Sequence, residues 1–165
     1  MKPSLEYLKT RIRVDVDAGK VFWIDATKHH KRLNGTEAGT PRKTHHGKSY
    51  WHVKVDSYPL KRSHLVFLFA TGKWPTLQID HINGNSLDDR TANLREATAT
   101  QNAWNHKGRA KKTGLPMGIR EIPSGKYQAR IARDKKTIHI GLFATIEQAV
   151  SAYQNKRKEL FGEFA

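Results

Sequence analysis

Cysteine is absent from this 165-residue chain, which excludes disulfides and any zinc site built on thiolates. No apolar run approaches the roughly 20 residues of a membrane helix. The opening MKPSLEYLKT has no apolar core of a signal peptide, so the expectation is a soluble intracellular protein. Hydrophobic residues reach only 37% and aromatics 9%. That is thin for one large core, and small β-rich units held by local clusters are expected instead. Acids are also scarce, 15 against 30 Lys and Arg, leaving a net charge of +15. A surplus of that size points to a polyanionic partner, nucleic acid first. The excess is +6 over residues 1–60, +3 over 61–110 and +6 over 111–165, so two strongly basic arms flank a more balanced middle.

The middle holds the densest chemistry, IDHINGNSLDDRTANLREATATQNAWNH over residues 79–106. An apolar lead-in runs into Asp80-His81, Gly84 makes a turn, and Asn93 follows before a second short apolar stretch at Leu94–Ala97. The pattern predicts a hairpin with Asp80 and His81 on its first strand. Thr98-x-x-Gln101 has capping-box spacing, so a helix starts there, with Asn102 and His106 at i and i+4 on one face. Asp80, Asn102 and His106 could then converge on one cation and leave His81 to act on water. Such a donor set suits Mg²⁺, with Mn²⁺ as the alternative, better than a closed zinc site.

These residues resemble the HNH nuclease motif of phage and intron-encoded (homing) endonucleases, which reads DH, a Gly-Asn turn, NLR, then QN. The resemblance implies a ββα-metal fold, with His81 as general base and Asn93 holding its imidazole. It also makes Asp80 and Asn102 metal ligands, with His106 at a position many members use for a second helical ligand. The activity implied is metal-dependent hydrolysis of DNA leaving 5′-phosphate and 3′-hydroxyl ends.

Upstream, residues 4–12 predict a short helix and residues 13–25 a hairpin around Asp17-Ala18-Gly19. Residues 26–48 read as exposed basic loops, Ser49–Val55 as a strand, and Leu60–Thr71 as a buried helix ended by Gly72. His64 near the start of that helix is read as structural or phosphate-contacting. Asp88 and Asp89 are read as structural loop acids that cap turns or bridge to a neighbour such as Arg95, and Trp104 as the core anchor of the last helix.

After a basic linker at 108–113, alternation at Ile119, at Tyr127, Ala129 and Ile131, and at Ile138 and Ile140 predicts three short strands. Thr145-x-x-Gln148 then caps a helix. Its stretches GIR, KYQARI, IGLFATIEQAVSAY and LFGEFA resemble the plant ethylene-response-factor type DNA-binding domain, whose sheet enters the major groove. Arg120, Lys126, Gln128, Arg130 and His139 occupy the face opposite the helix. Ile122, Ser124, Ala132 and Thr137 stand where plant members carry Arg or Trp, so the resemblance carries groove binding and no sequence preference.

The overall expectation is an α+β chain: an N-terminal β-rich basic region (1–57), an HNH nuclease (58–107), the linker (108–113) and a three-stranded antiparallel sheet plus helix (114–165). The expected partner is double-stranded DNA, with neither a membrane nor an obligate protein partner. The expected location is the cytoplasm, that of a bacterial host if the protein is phage-encoded. Two competing readings are a DNA-binding regulator on an inactive nuclease scaffold and an RNA-directed nuclease. The second is disfavoured by the lack of an aromatic stacking surface in the C-terminal sheet.

Overall fold

The computed structural model describes residues 2–26, 28–44, 47–105, 114–134 and 136–165, without the side chains of residues 28–30. His106 and the basic linker expected at 108–113 lie outside the described residues. The chain divides into two compact units, residues 1–99 and 100–165. No helix among the described residues is long and apolar enough to cross a membrane.

In the first unit, α1 (Leu5–Arg11) begins where the Ser4 hydroxyl accepts the Tyr7 N–H, satisfying one of the orphan donors of the first turn. Strands β1 (Ile12–Asp15) and β2 (Lys20–Trp23) form the expected hairpin, with Ile12 opposite Trp23. A second sheet has the order β3 (Thr40–Lys43), β4 (Ser49–Val55), β5 (Tyr58–Lys61). Helix α2 (Arg62–Thr71) packs on β1, β2, β4 and β5. It stops at Gly72, whose φ of 75° is left-handed and whose N–H returns to the Leu68 carbonyl.

These elements share one core of Leu8, Ile12, Val21, Ala38, Val53, Val55, Leu60, Leu65 and Leu68, flanked by Trp23, Phe69 and Trp74. Each fully buried Leu, Ile or Val contributes roughly 1.5–3 kcal/mol relative to exposure. The core therefore joins the segment before residue 58 to the helix after it.

Two details depart from the sequence reading. The region 26–48, read as loops, contains β3, which pairs with β4 from Thr40 opposite His52 to Lys43 opposite Ser49. Every residue of β3 is exposed, so this edge strand carries none of the alternation that reveals a strand, and its Pro41 is tolerated because an edge has a free side. Leu60 lies within β5 instead of opening the helix, which begins at Arg62.

The hairpin of β6 (Gln78–His81) and β7 (Leu94–Ala97) sets Asp80 opposite Arg95 and His81 opposite Leu94. Glu96 fastens the approach to β6, its Oε1 accepting from the backbone of Thr76 (2.6 Å) and Leu77 (2.9 Å).

In the second unit, α3 (Ala99–Trp104), which starts at the boundary, is followed by an antiparallel sheet in which β9 (Tyr127–Arg133) lies between β8 (Ile119–Glu121) and β10 (Lys136–Phe143). Helix α4 (Ile146–Phe161) covers one face. It opens with the expected capping box between Thr145 and Gln148 and buries Ala149, Tyr153 and Phe161 beside Ile119, Ala129 and Ile131. Gly118 lets this layer close: a Cβ there would lie 2.1 Å from the Tyr153 ring. Within the same unit the Trp104 and Phe161 rings stack with centroids 5.0 Å apart, and an Arg157 guanidinium N–H donates to the Trp104 carbonyl at 2.7 Å. Trp104 is thus an anchor, and α4 is what it is anchored to.

Candidate active site

The loop between β6 and β7 is built by short polar side chains that stand in for backbone. Asn83 Oδ1 accepts from the Asn85 N–H at 2.8 Å, and Gly84 takes a φ of 74°. Asn93 ties both ends of this loop. Its Oδ1 accepts from the Asn83 N–H at 2.9 Å, and its Nδ2 donates to the Asp88 carbonyl at 2.7 Å. Its own carbonyl accepts from the Ile82 N–H at 2.9 Å. The side chain of Asn93 thus bonds to the loop that follows His81, and any hold on the imidazole passes through that loop.

His81 is buried, 6% exposed, and its Nε2 lies 2.8 Å from Asp89 Oδ1. Asp89, 3% exposed, accepts the Arg62 Nε at 2.8 Å on its other oxygen. Arg62 spends its remaining nitrogens on Glu37 (3.0 Å) and the Leu87 carbonyl (3.1 Å), with its guanidinium over the Trp51 ring at 4.2 Å. A carboxylate engaged by a guanidinium is an acceptor only. Nε2 of His81 therefore carries a proton and donates in this contact.

Asp89 does not bridge to Arg95 as the sequence suggested; its partners are Arg62 and His81. Arg95 instead pairs across the hairpin with Asp80. Its Nε donates to Asp80 Oδ2 at 2.9 Å, and its Nη2 lies 2.8 Å from the same oxygen without the alignment of a hydrogen bond. Asp80 is 4% exposed. Asp88 stays in the loop, bonded to Arg90 and Asn83. These bonds, that to Arg90 foremost, hold its carboxyl at about 2.

The hairpin thus brings Asp80, His81 and Asn93 into one small region with Arg62, Asp89 and Arg95, which the sequence reading left outside the site. Asn102 lies on α3 in the second unit, and His106 falls outside the described residues. Among the described residues no three His, Asp or Glu side chains cluster closely enough to hold a metal. A cation at Asp80 would therefore need amide, water or phosphate oxygens besides this carboxylate. Asp80 and the Asn102 amide are hard oxygen donors of the type Mg²⁺ and Mn²⁺ take, so the residue types fit.

His64, on the first turn of α2, titrates at about 4. Burial lowers it first, and Lys61 and Lys2 add to the shift. In the second unit, Arg120, Lys126, Arg130 and His139 are exposed and Gln128 is half-buried. The register sets Arg120 opposite Gln128 and Arg130 opposite His139, on the sheet face away from α4.

The loop fastens to the rest of its unit at two further points. The backbone N–H of Thr91 donates to the Val16 carbonyl at 2.9 Å, and the Ser86 hydroxyl donates to the Ser49 carbonyl at 2.6 Å.

Residues 61–104 match the family described as HNH endonuclease. The chain is 35% identical over 121 residues to an uncharacterised HNH endonuclease of Acanthamoeba polyphaga mimivirus, covering 72% of this chain and 63% of that protein. It is 31% identical over 115 residues to Protein 3.8 of Escherichia phage T7, covering 66% of this chain and 91% of that protein. The chain thus spans less than two thirds of the mimivirus relative. No solved structure matches it.

Proposed function

The chain carries an HNH endonuclease domain over residues 61–104, and on that premise we propose that it is a metal-dependent, homing-type DNA endonuclease with His81 as its general base. The observation that carries this reading is the buried His81–Asp89 contact at 2.8 Å beside Asp80. In this reading the contact orients the imidazole through Nε2, and Nδ1 takes a proton from water. Asn93 holds the loop on which this geometry depends, and Asp80, Asn102 and His106 are the proposed metal ligands.

One divalent cation there, Mg²⁺ or Mn²⁺, would draw charge from the phosphate and steady the departing oxygen. His81 would take the proton of a water molecule that attacks phosphorus, and the products would carry 5′-phosphate and 3′-hydroxyl ends. Arg95, now on Asp80, would release or share that carboxylate when metal and phosphate arrive, its guanidinium being suited to a phosphate oxygen.

Residues 114–165 are read as an ethylene-response-factor type DNA-binding domain. Arg120, Lys126, Gln128, Arg130 and His139 would face the major groove of double-stranded DNA, where a bidentate Arg–guanine contact discriminates by roughly 1–3 kcal/mol. The bacterial cytoplasm, where phage DNA and host DNA meet, is the proposed setting.

Digestion of supercoiled plasmid with and without EDTA, followed by end mapping, tests the reaction. The wild type should nick or linearise DNA only with metal, and His81→Ala should lose at least about a hundredfold in rate while keeping gel-shift affinity. Cleavage by His81→Ala at a comparable rate would sink the assignment. The competing reading, a DNA-binding regulator on a silent nuclease scaffold, is favoured by one observation, the Arg95 guanidinium on Asp80. It predicts binding without cutting under every metal.

A further inference from the structure

In the first unit the β3–β4–β5 sheet has two unlike faces. Val53 and Val55 of β4 point into the core, and Trp51 stacks under Arg62. Tyr50, His52 and Lys54 alternate with them and take the other face. Register places Arg42 opposite Tyr50, and Thr40 and Lys61 on either side of His52. Arg42, Lys54 and Lys61 are exposed. Residues 38–55 contain no acid at all. The two acids that flank this stretch are committed elsewhere, Glu37 to Arg62 and Lys20, and Asp56 to Tyr7 and Arg11. Among the described residues Arg42, Lys54 and Lys61 enter no ion pair.

The clustering of positive charge is felt at His52, held below the ordinary histidine value by burial and then by Arg42 and Lys61. This face also reaches the proposed base. Lys61 Nζ lies 4.9 Å from the centroid of the Tyr50 ring, and the Tyr50 and His81 rings are 6.5 Å apart.

We infer that this sheet face is a second DNA-binding surface, which holds the backbone of the strand to be cut with its phosphates on Arg42 and Lys61 and a sugar or base edge against Tyr50. A carboxylate-free row of cations is complementary to phosphates spaced along a strand. A phenol ring between those cations and His81 offers the apolar contact that a sugar or base needs. The surface lies in the same unit as the hairpin, so it positions DNA for cutting independently of the groove-reading proposed for residues 114–165. Only the direction of the strand towards His81 rests on the proposed role of that residue.

The test is fluorescence anisotropy of a short labelled duplex with the full chain in EDTA, across a range of salt, so that no cleavage is required. Arg42→Gln with Lys61→Gln should weaken binding about tenfold and lower the slope of log affinity against log salt by about two, one for each phosphate contact. Tyr50→Leu should weaken binding without changing that slope. Lys54→Glu, an exposed reversal that touches no described partner, should weaken it again. Lys31→Gln with Lys73→Gln removes the same charge from exposed positions elsewhere in the unit and should have a smaller effect. Unchanged affinity and slope in the Arg42 and Lys61 pair, or an equal loss in the control pair, would overturn the inference. If cleavage is present, the Arg42 and Lys61 pair should raise KM and leave kcat in place. A chain that binds DNA through this face and never cuts it would sink the nuclease reading and leave this one standing.

Discussion

With Nε2 of His81 occupied by Asp89, the imidazole can neither rotate nor exchange tautomers without breaking a buried hydrogen bond. Asp89→Ala removes that restraint and takes one of two carboxylate partners from the Arg62 guanidinium, itself 5% exposed, leaving Glu37. Losing one member of a buried pair costs about 3–5 kcal/mol, and a misplaced base costs about a hundredfold in kcat. Asp89→Asn keeps an oxygen for Nε2–H at lower charge. It should cleave within about tenfold of wild type while its Tm falls. Plasmid-nicking rates beside thermal melts check this, and equal activity losses in Ala and Asn would reduce Asp89 to a structural residue.

His64 makes a different prediction. Its value of about 4 lies below the ordinary 6.5, so between these values the unfolded chain takes up a proton that the folded chain resists. Stability is then full above about 6.5 and drains away as pH falls towards 4. His64→Gln should flatten the decline of Tm over that window. Asp80, His81 and Asn93 were legible because their spacing in the chain mirrors one hairpin. Arg62 and Asp89 were not, because 27 residues separate them and only the packing of α2 brings them together.

The elements that carry this site depend on a hairpin far from it in the chain. Gly19 closes the β1–β2 turn at φ +66°, and a Cβ there would lie 2.4 Å from the Arg90 nitrogen and 2.5 Å from the Asp89 carbonyl carbon. Both neighbours are backbone and cannot swing aside. Gly19→Ala must therefore push on the loop that holds Asp89, at a cost of about 1–3 kcal/mol for overpacking beyond the strain at positive φ. It should lower both Tm and cleavage, whereas Gly35→Ala, at φ +82° with nothing within 4 Å, should lower Tm alone. Melts and nicking rates of the two variants separate the effects.

The sequence predicted this hairpin correctly from Asp17-Ala18-Gly19 but could not show what its turn touches. It also concealed β3, because an exposed edge strand has no buried side to imprint alternation on its residues. The strands and helix of the second unit were legible throughout, since α4 buries one face of the sheet and the apolar residues keep a period of two.

At the scale of the whole molecule, the basic linker suggested a cut point between a catalytic part and a DNA-reading part, yet the contacts of α3 argue against so simple a division. Helix α3 carries Asn102, a proposed metal ligand, and its Trp104 is stacked on Phe161 and hydrogen-bonded to Arg157 of α4. A six-residue helix has little stability of its own, since isolated helices this short are marginal in water. The contacts of Trp104 with α4 contribute to its order. Truncation after the linker would therefore remove the anchor of a proposed ligand together with the proposed groove-reading sheet, and lost cleavage could not be assigned to either. Phe161→Ala isolates the anchor. It leaves Arg120, Lys126, Gln128, Arg130 and His139 in place and should cost the second unit about 3–5 kcal/mol. If α3 must be held for Asn102 to serve, the rate should fall and the metal concentration needed for half-maximal cutting should rise. Phe161→Leu, which keeps an apolar contact with Trp104, should lie close to wild type. Arg120→Ala with Arg130→Ala should give the opposite signature, weaker DNA binding with a shallower salt dependence and an unchanged metal requirement. Calorimetry, metal titration of plasmid nicking and gel shifts on the three variants distinguish these outcomes. A Phe161→Ala protein that melts early yet cuts at the wild-type rate and metal concentration would show that α3 needs no anchor on α4.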